Sequence, residues 1–244
     1  MFIGSGTLIN VIAIIGGASL GVLIGGRIPE RTRALITDVL GLITILGAGS
    51  ALAYIASDRY IDSLPQGWPL LAILASLLIG GVIGSALNLE ARLESFGQYL
   101  RRRFKADREG SFVEGFLTSS LLFVIGPLAI LGSISDGMGT GTDQLILKSS
   151  LDFFASIAFA ASLGWGVAAS AIPVGIYQGL WTVAGFALGS VLTDYQIDAM
   201  TIVGGLMLVS IGLGLLKIKT IAVGNLLPAL ALAPVIAWGL HQFV

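Results

Sequence analysis

Charged residues are excluded from seven long stretches of this chain, and that pattern limits the possible folds more than any other feature. Uncharged runs occupy positions 1–26, 39–57, 63–89, 115–135, 153–193, 199–216 and 220–244. A helix needs about 20 mainly apolar residues to cross the hydrocarbon core of a bilayer, and these runs meet or approach that length. Open strands would leave backbone groups unpaired in lipid, so helix is the element that fits. The fifth run is 41 residues long, enough for two crossings. Its expected break is at Pro173 and Gly175, because proline removes a helical hydrogen bond and clashes with the preceding turn. The expected fold is therefore all-α, a polytopic transmembrane helical bundle of about eight spans. They fall at roughly 3–26, 34–56, 69–89, 112–131, 150–171, 174–193, 199–216 and 221–243.

Composition excludes several kinds of chemistry. Only 11% of the 244 residues are charged, against about 25% in an ordinary soluble domain, so the chain lacks a water-facing surface. It has no cysteine, which rules out thiolate metal sites, disulfides and cysteine nucleophiles. A single histidine, His241 near the C-terminus, leaves no histidine cluster or triad. No catalytic residues, metal ligands or cofactors are expected, and no nucleic-acid partner. The first charge is Arg27. Without the basic start of a secretory signal, the opening segment is read as a retained span. Glycine is abundant, at 34 residues, which suits close helix approach in lipid.

Lysine and arginine set an orientation. Arg27, Arg31 and Arg33 lie between spans 1 and 2. Arg92, Arg101, Arg102, Arg103, Lys105 and Arg108 lie between spans 3 and 4, and Lys217 and Lys219 between spans 7 and 8. Those eleven of 13 basic residues share one side, and only Arg59 and Lys148 fall on the other. Basic loops face the cytoplasm, so both termini are expected outside. Between spans 3 and 4, Leu89, Leu93, Phe96, Leu100 and Phe104 share one helical face. This predicts a cytoplasmic amphipathic helix over about 90–108 that meets anionic headgroups through Arg101, Arg102, Arg103 and Lys105.

An internal similarity suggests two four-span halves, residues 1–131 and 150–244. Gly41-Leu42-Ile43-Thr44-Ile45-Leu46-Gly47 matches Gly179-Leu180-Trp181-Thr182-Val183-Ala184-Gly185 at four identical positions. Ser19-Leu20-Gly21 before Ile28-Pro29 parallels Ser162-Leu163-Gly164 before Ile172-Pro173. Four spans per half make this a parallel repeat, an arrangement that recurs among secondary transporters.

Several further segments carry a family resemblance. They are Gly6-Thr7-Leu8-Ile9-Asn10, Phe112-Val113-Glu114-Gly115-Phe116 and Gly126-Pro127-Leu128-Ala129-Ile130-Leu131-Gly132-Ser133. Lys148-Ser149-Ser150-Leu151-Asp152, Tyr177-Gln178-Gly179 and Asn225-Leu226-Leu227-Pro228-Ala229 extend the pattern over essentially the whole chain. It resembles the YqgA/YdfK family of bacterial membrane proteins, domain of unknown function 554. The resemblance implies a multi-pass protein of the bacterial plasma membrane, and it supplies neither a substrate nor a site.

The densest polar constellation runs from Glu114 to Asp152. Glu114, Ser119 and Ser120 lead to Gly126 and Pro127, where proline frees a backbone carbonyl. Ser133 and Asp136 follow as an expected flexible acidic run at the outer end. Lys148 and Asp152, four apart at the start of span 5, share a face and can pair. Asn10, Gln178 and Asn225 are amides inside other spans. One reading makes these residues a hydrophilic path along spans 4 and 5 in an oligomeric transporter or channel for a small solute or ion. The other makes them an interfacial ion pair, a packing kink and interhelical hydrogen bonds. No charge is expected near the middle of a span. A scaffold or sensor using the basic loop is the alternative function, and an intramembrane enzyme has the least support.

Overall fold

The computed structural model describes residues 2–105, 111–189 and 192–244, and among them it is helical with no strand. In chain order the helices are α1 (Ser5–Gly25), α2 (Glu30–Leu52), α3 (Asp58–Ile61), α4 (Pro69–Ala86), α5 (Leu89–Arg103) and α6 (Phe112–Val124). They continue as α7 (Pro127–Gly137), α8 (Asp143–Leu163), α9 (Gly166–Ala169), α10 (Ala171–Leu188), α11 (Asp194–Leu215) and α12 (Leu227–His241). Single turns of 3-10 helix extend α2 at Ala53–Ala56 and precede α12 at Val223–Leu226. Among the described residues, seven helical segments are long and apolar enough to cross a membrane, and the pair α6 and α7 makes an eighth if counted as one bent span. The expected all-α bundle of about eight spans is what the chain forms.

Two boundaries, both of the fifth segment, depart from the sequence expectation, and the fourth segment is bent at the Gly126-Pro127 kink. The fourth segment divides at Gly126, which takes φ 146°, a backbone conformation that glycine adopts without a Cβ penalty. The helices on either side bend by 63°. Ser133 and Asp136, expected in a flexible run, lie within α7. The fifth segment ends at Gly164 (φ 77°) rather than at Pro173. Pro173 stands in the first turn of α10, where its missing N–H has no helical partner to lose, so it opens a helix instead of breaking one. The same segment starts earlier than expected: α8 begins at Asp143, and Lys148 and Asp152 are the sixth and tenth of its 21 residues. The expectation that no charge lies deep in a span is corrected by this shift.

By their contacts the residues fall into two compact units, and both draw on both halves of the sequence. Unit 1 comprises residues 1–40, 93–124 and 128–191. Its centre is the pair α1 and α8, which run in the same direction. Gly17, Gly21 and Gly25 meet the backbone of Phe153, Ile157 and Ala161, so closely that a Cβ on Gly17 would fall on the Phe153 carbonyl oxygen. Glycine every fourth residue makes a smooth stripe on α1, which lets two backbones touch where there is no hydrophobic drive between helices. Gly185 of α10 meets Ile134 of α7 in the same way, and Gly166 of α9 meets Phe112 at the start of α6.

Unit 2 comprises residues 41–92, 125–127 and 192–244. Here α4 and α12 run antiparallel, with Gly80 against Ala229 and Gly84 against Asn225. Helix α11 is buried over most of its length. At its start, Arg59 binds Asp198 at 2.9 Å and approaches Asp194 at 3.7 Å, while the Ser57 hydroxyl donates to Asp198. Tyr60 is fully buried and donates to the Pro69 carbonyl at 2.9 Å. Burial, and secondly the Asp198 carboxylate, push its pKa above the ordinary tyrosine value, so this phenol keeps its proton and its hydrogen bond in alkaline solution.

The glycine stripe makes a stability prediction. Gly21→Ala should cost about 1–3 kcal/mol, the usual penalty of overpacking, read as a lowered melting temperature in detergent. Gly47→Ala, where a Cβ would meet nothing within 4 Å, should leave the melting temperature unchanged or raise it.

Candidate functional site

The close contact of α1 with α8 assembles a polar cluster in the interior of unit 1. Asn10, on the α1 face that meets α8, donates from Nδ2 to Oδ2 of Asp152 at 3.0 Å. Lys148, one turn earlier on α8, binds the same oxygen. The two charged side chains are only 7% and 10% exposed. The Lys148 ammonium also lies 5.8 Å from the centre of the Phe123 ring on α6, a distance at which the ring face attracts a cation. Ser149 and Ser156 continue the same buried face of α8.

A second helix closes on α1 from another side. Thr7 and Thr182 of α10 bring their hydroxyls to 3.4 Å, and Val11 meets Gly175. Gln178 lies on α10 between these contacts and is fully buried. Neither its amide nitrogen nor its oxygen has a hydrogen-bond partner among the described residues. Asn10 Oδ1 and the hydroxyls of Ser5, Ser119 and Ser156 are in the same position. A buried polar group left unpaired costs about 1–3 kcal/mol, so a purely structural core would have little reason to keep six such atoms.

Other residues singled out from the sequence have local partners. Ser120 and Ser133 donate to the carbonyls of Phe116 and Ala129 one turn back in their own helices. Asp136 is 3% exposed and accepts from the backbone N–H groups of Gly4 at 3.2 Å and Gly6 at 3.0 Å. It therefore caps α1, whose N-terminal amides have no partner within the helix and favour negative charge. Beside it lies a cavity of about 230 Å³, also lined by Phe2, Thr142 and Asp143. Glu114 stands exposed in the first turn of α6, apart from the cluster. Asn225 belongs to unit 2, where its Oδ1 accepts from the Glu90 backbone at 2.9 Å and so caps α5. Gly126 and Pro127 form the bend described above. No group of three or more His, Cys, Asp or Glu suited to a metal ion occurs among the described residues.

Sequence reasoning overlooked Ser5, Ser156 and Thr182. The signal for two of them was present. Ser156 stands four after Asp152 and Thr182 four after Gln178, the spacing that places side chains on one helical face.

Comparison with known proteins gives the chain a family. The model of the family described as "Protein of unknown function (DUF554)" matches residues 5–238. The chain is 31% identical over 239 residues to "Uncharacterized membrane protein YdfK" of Bacillus subtilis (strain 168), covering 98% of this chain and 97% of that protein. It is 33% identical over 232 residues to "Uncharacterized protein YqgA" of Escherichia coli (strain K12), covering 93% and 94%. No solved structure matches it. The chain belongs to the DUF554 family and is a membrane protein with helical spans.

The buried pair makes a stability prediction of its own. Lys148→Met leaves a buried carboxylate without its cation and should cost about 3–5 kcal/mol. Combining Lys148→Met with Asp152→Leu should recover most of that loss, because an apolar pair in place of a buried ion pair is often neutral. Thermal unfolding of the two variants in detergent reads the difference directly.

Proposed function

We propose that this member of the DUF554 family is a transporter or channel for a small solute or ion in the bacterial plasma membrane. Its route runs along α6, α7 and α8, and Lys148, Asp152, Asn10 and Gln178 form its central station. The observation that carries the reading is a Lys148–Asp152 pair buried within a helix long enough to span, held by Asn10, whose own Oδ1 has no partner, and followed one turn on by the unpartnered Ser156 hydroxyl. Ionisable residues at such depth are expensive and mark substrate or ion routes. A scaffold would be better served by apolar residues.

The surroundings fit this role. The 63° bend between α6 and α7 is irregular backbone of the kind tolerated at membrane depth where it is buried in protein or lines a polar path. The cavity beside Asp136 is a candidate mouth, and the eleven clustered basic residues favour a cytoplasmic α5 end. Because Lys148 already neutralises Asp152, a passing cation must displace the ammonium, and a passing anion must compete with the carboxylate. The unpartnered amides offer a polar solute both donors and acceptors without further cost. The Ser149 hydroxyl, next to Lys148, is committed to the Leu145 carbonyl, which supports transport over catalysis.

The test is flux in liposomes that contain the purified protein, across a panel of ions and small polar metabolites. Asp152→Asn should slow the transported species by about tenfold or more, given the ~1.5–3 kcal/mol of a hydrogen bond to a charged group, while Glu114→Gln should not. Absence of flux for every species, with the protein folded, would favour the scaffold reading instead.

A further inference from the structure

A large apolar recess in unit 1 is lined by none of the polar residues gathered around Asp152. It is a groove of about 950 Å³ between α1, α9 and α10, with Phe104, Lys105, Phe112 and Trp165 at one end. Its volume is at the upper end of small-molecule sites, which run to about 1,000 Å³. Two features show what shape of molecule it suits.

The first is depth. Gly25 packs on Ala161, two residues before the end of α8 and just short of Trp165. The groove reaches back along α1 through Ile15 to Val11. Its lining on α9 and α10 runs from Trp165 to Ile176, about 16 Å at 1.5 Å per residue, close to the ~15 Å of one leaflet's hydrocarbon. The recess therefore extends from an interfacial level to about the depth of one set of acyl chains. Trp165 is 41% exposed at its open end, where an indole suits the headgroup level.

The second is charge. Lys105 adopts φ 54° in the left-handed turn that ends α5, and it lines the groove. Arg101, Arg102 and Arg103 fill the last turn of the same helix. Basic charge is thus concentrated at the interfacial end, and the lining beyond it is aliphatic.

We propose that this groove is a binding site for one anionic glycerophospholipid. The acyl chain lies along Val11, Ile15, Ile172 and Ile176, and the phosphate is held at Lys105. Shape alone would admit any lipid. The basic end selects an anionic one, since each lysine or arginine near such a headgroup contributes on the order of 1 kcal/mol. This inference is independent of the transport reading.

The full chain, reconstituted in nanodiscs with equal amounts of phosphatidylglycerol and phosphatidylcholine, tests it by native mass spectrometry after release into detergent. One retained phosphatidylglycerol per chain is expected. Lys105→Gln should lower its retention about fivefold, and Ala168→Phe, which fills the groove, should abolish it. Arg92→Ala, the loss of an exposed basic residue elsewhere, should leave retention unchanged. Equal retention of both lipids, or an equal loss with Arg92→Ala, would mean ordinary boundary lipid and overturn the proposal. If Ala168→Phe fails to fold, the paired Lys105→Gln and Arg92→Ala results still decide.

Discussion

Close contact between α1 and α8 is the constraint on which the rest of unit 1 depends. In lipid, apolar side chains give helices no hydrophobic reason to associate, so packing and hydrogen bonds must do it. Glycine at 17, 21 and 25 removes every Cβ from one stripe of α1, and the backbones of Phe153, Ile157 and Ala161 settle onto it. That approach fixes the register. With the register fixed, Asn10 comes to 3.0 Å from Asp152, and the α1 N-terminus comes within hydrogen-bond reach of Asp136. A bulkier α1 would separate the two helices and leave a buried carboxylate with one partner fewer.

The polar residues divide according to whether their needs are met locally. Ser120, Ser133 and Ser149 return their hydroxyls to carbonyls four residues back, a common way for a helix to absorb a hydroxyl in an apolar setting. Asp136 spends its carboxylate on two backbone amides. Among the amides and hydroxyls described, those of Gln178, Ser5, Ser119 and Ser156 and the Asn10 Oδ1 remain without such a partner. The site is thus smaller than the run of polar residues from Glu114 to Asp152, and it lies deeper.

The sequence disclosed the fold class plainly because desolvation of charge acts on every residue: runs without charge are spans whatever their tertiary partners. Lys148 with Asp152 could also be paired from their spacing alone. Depth could not be read so easily. The helix boundary hinged on whether Gly164 or Pro173 would end α8, and proline is only a breaker away from the first turn. Asn225 was legible as a polar residue in a span, yet only tertiary packing shows that it caps α5. The N-terminal partner of Asp136 is 130 residues away in sequence, beyond any periodicity.

Helix α1 also shows how one segment can serve two chemistries. Successive residues of a helix are about 100° apart, so Asn10 and the glycine stripe face α8 while Val11 and Ile15 point roughly a third of a turn away, into the apolar groove. A chain of methylenes seated there would press on α1 and α10 together and support the contact between Thr7 and Thr182. Because Asn10 is rigidly placed on the same helix, whatever steadies α1 also steadies its hold on Asp152. The apolar groove and the buried ion pair are therefore mechanically linked through the backbone of a single helix, although no residue is shared between them.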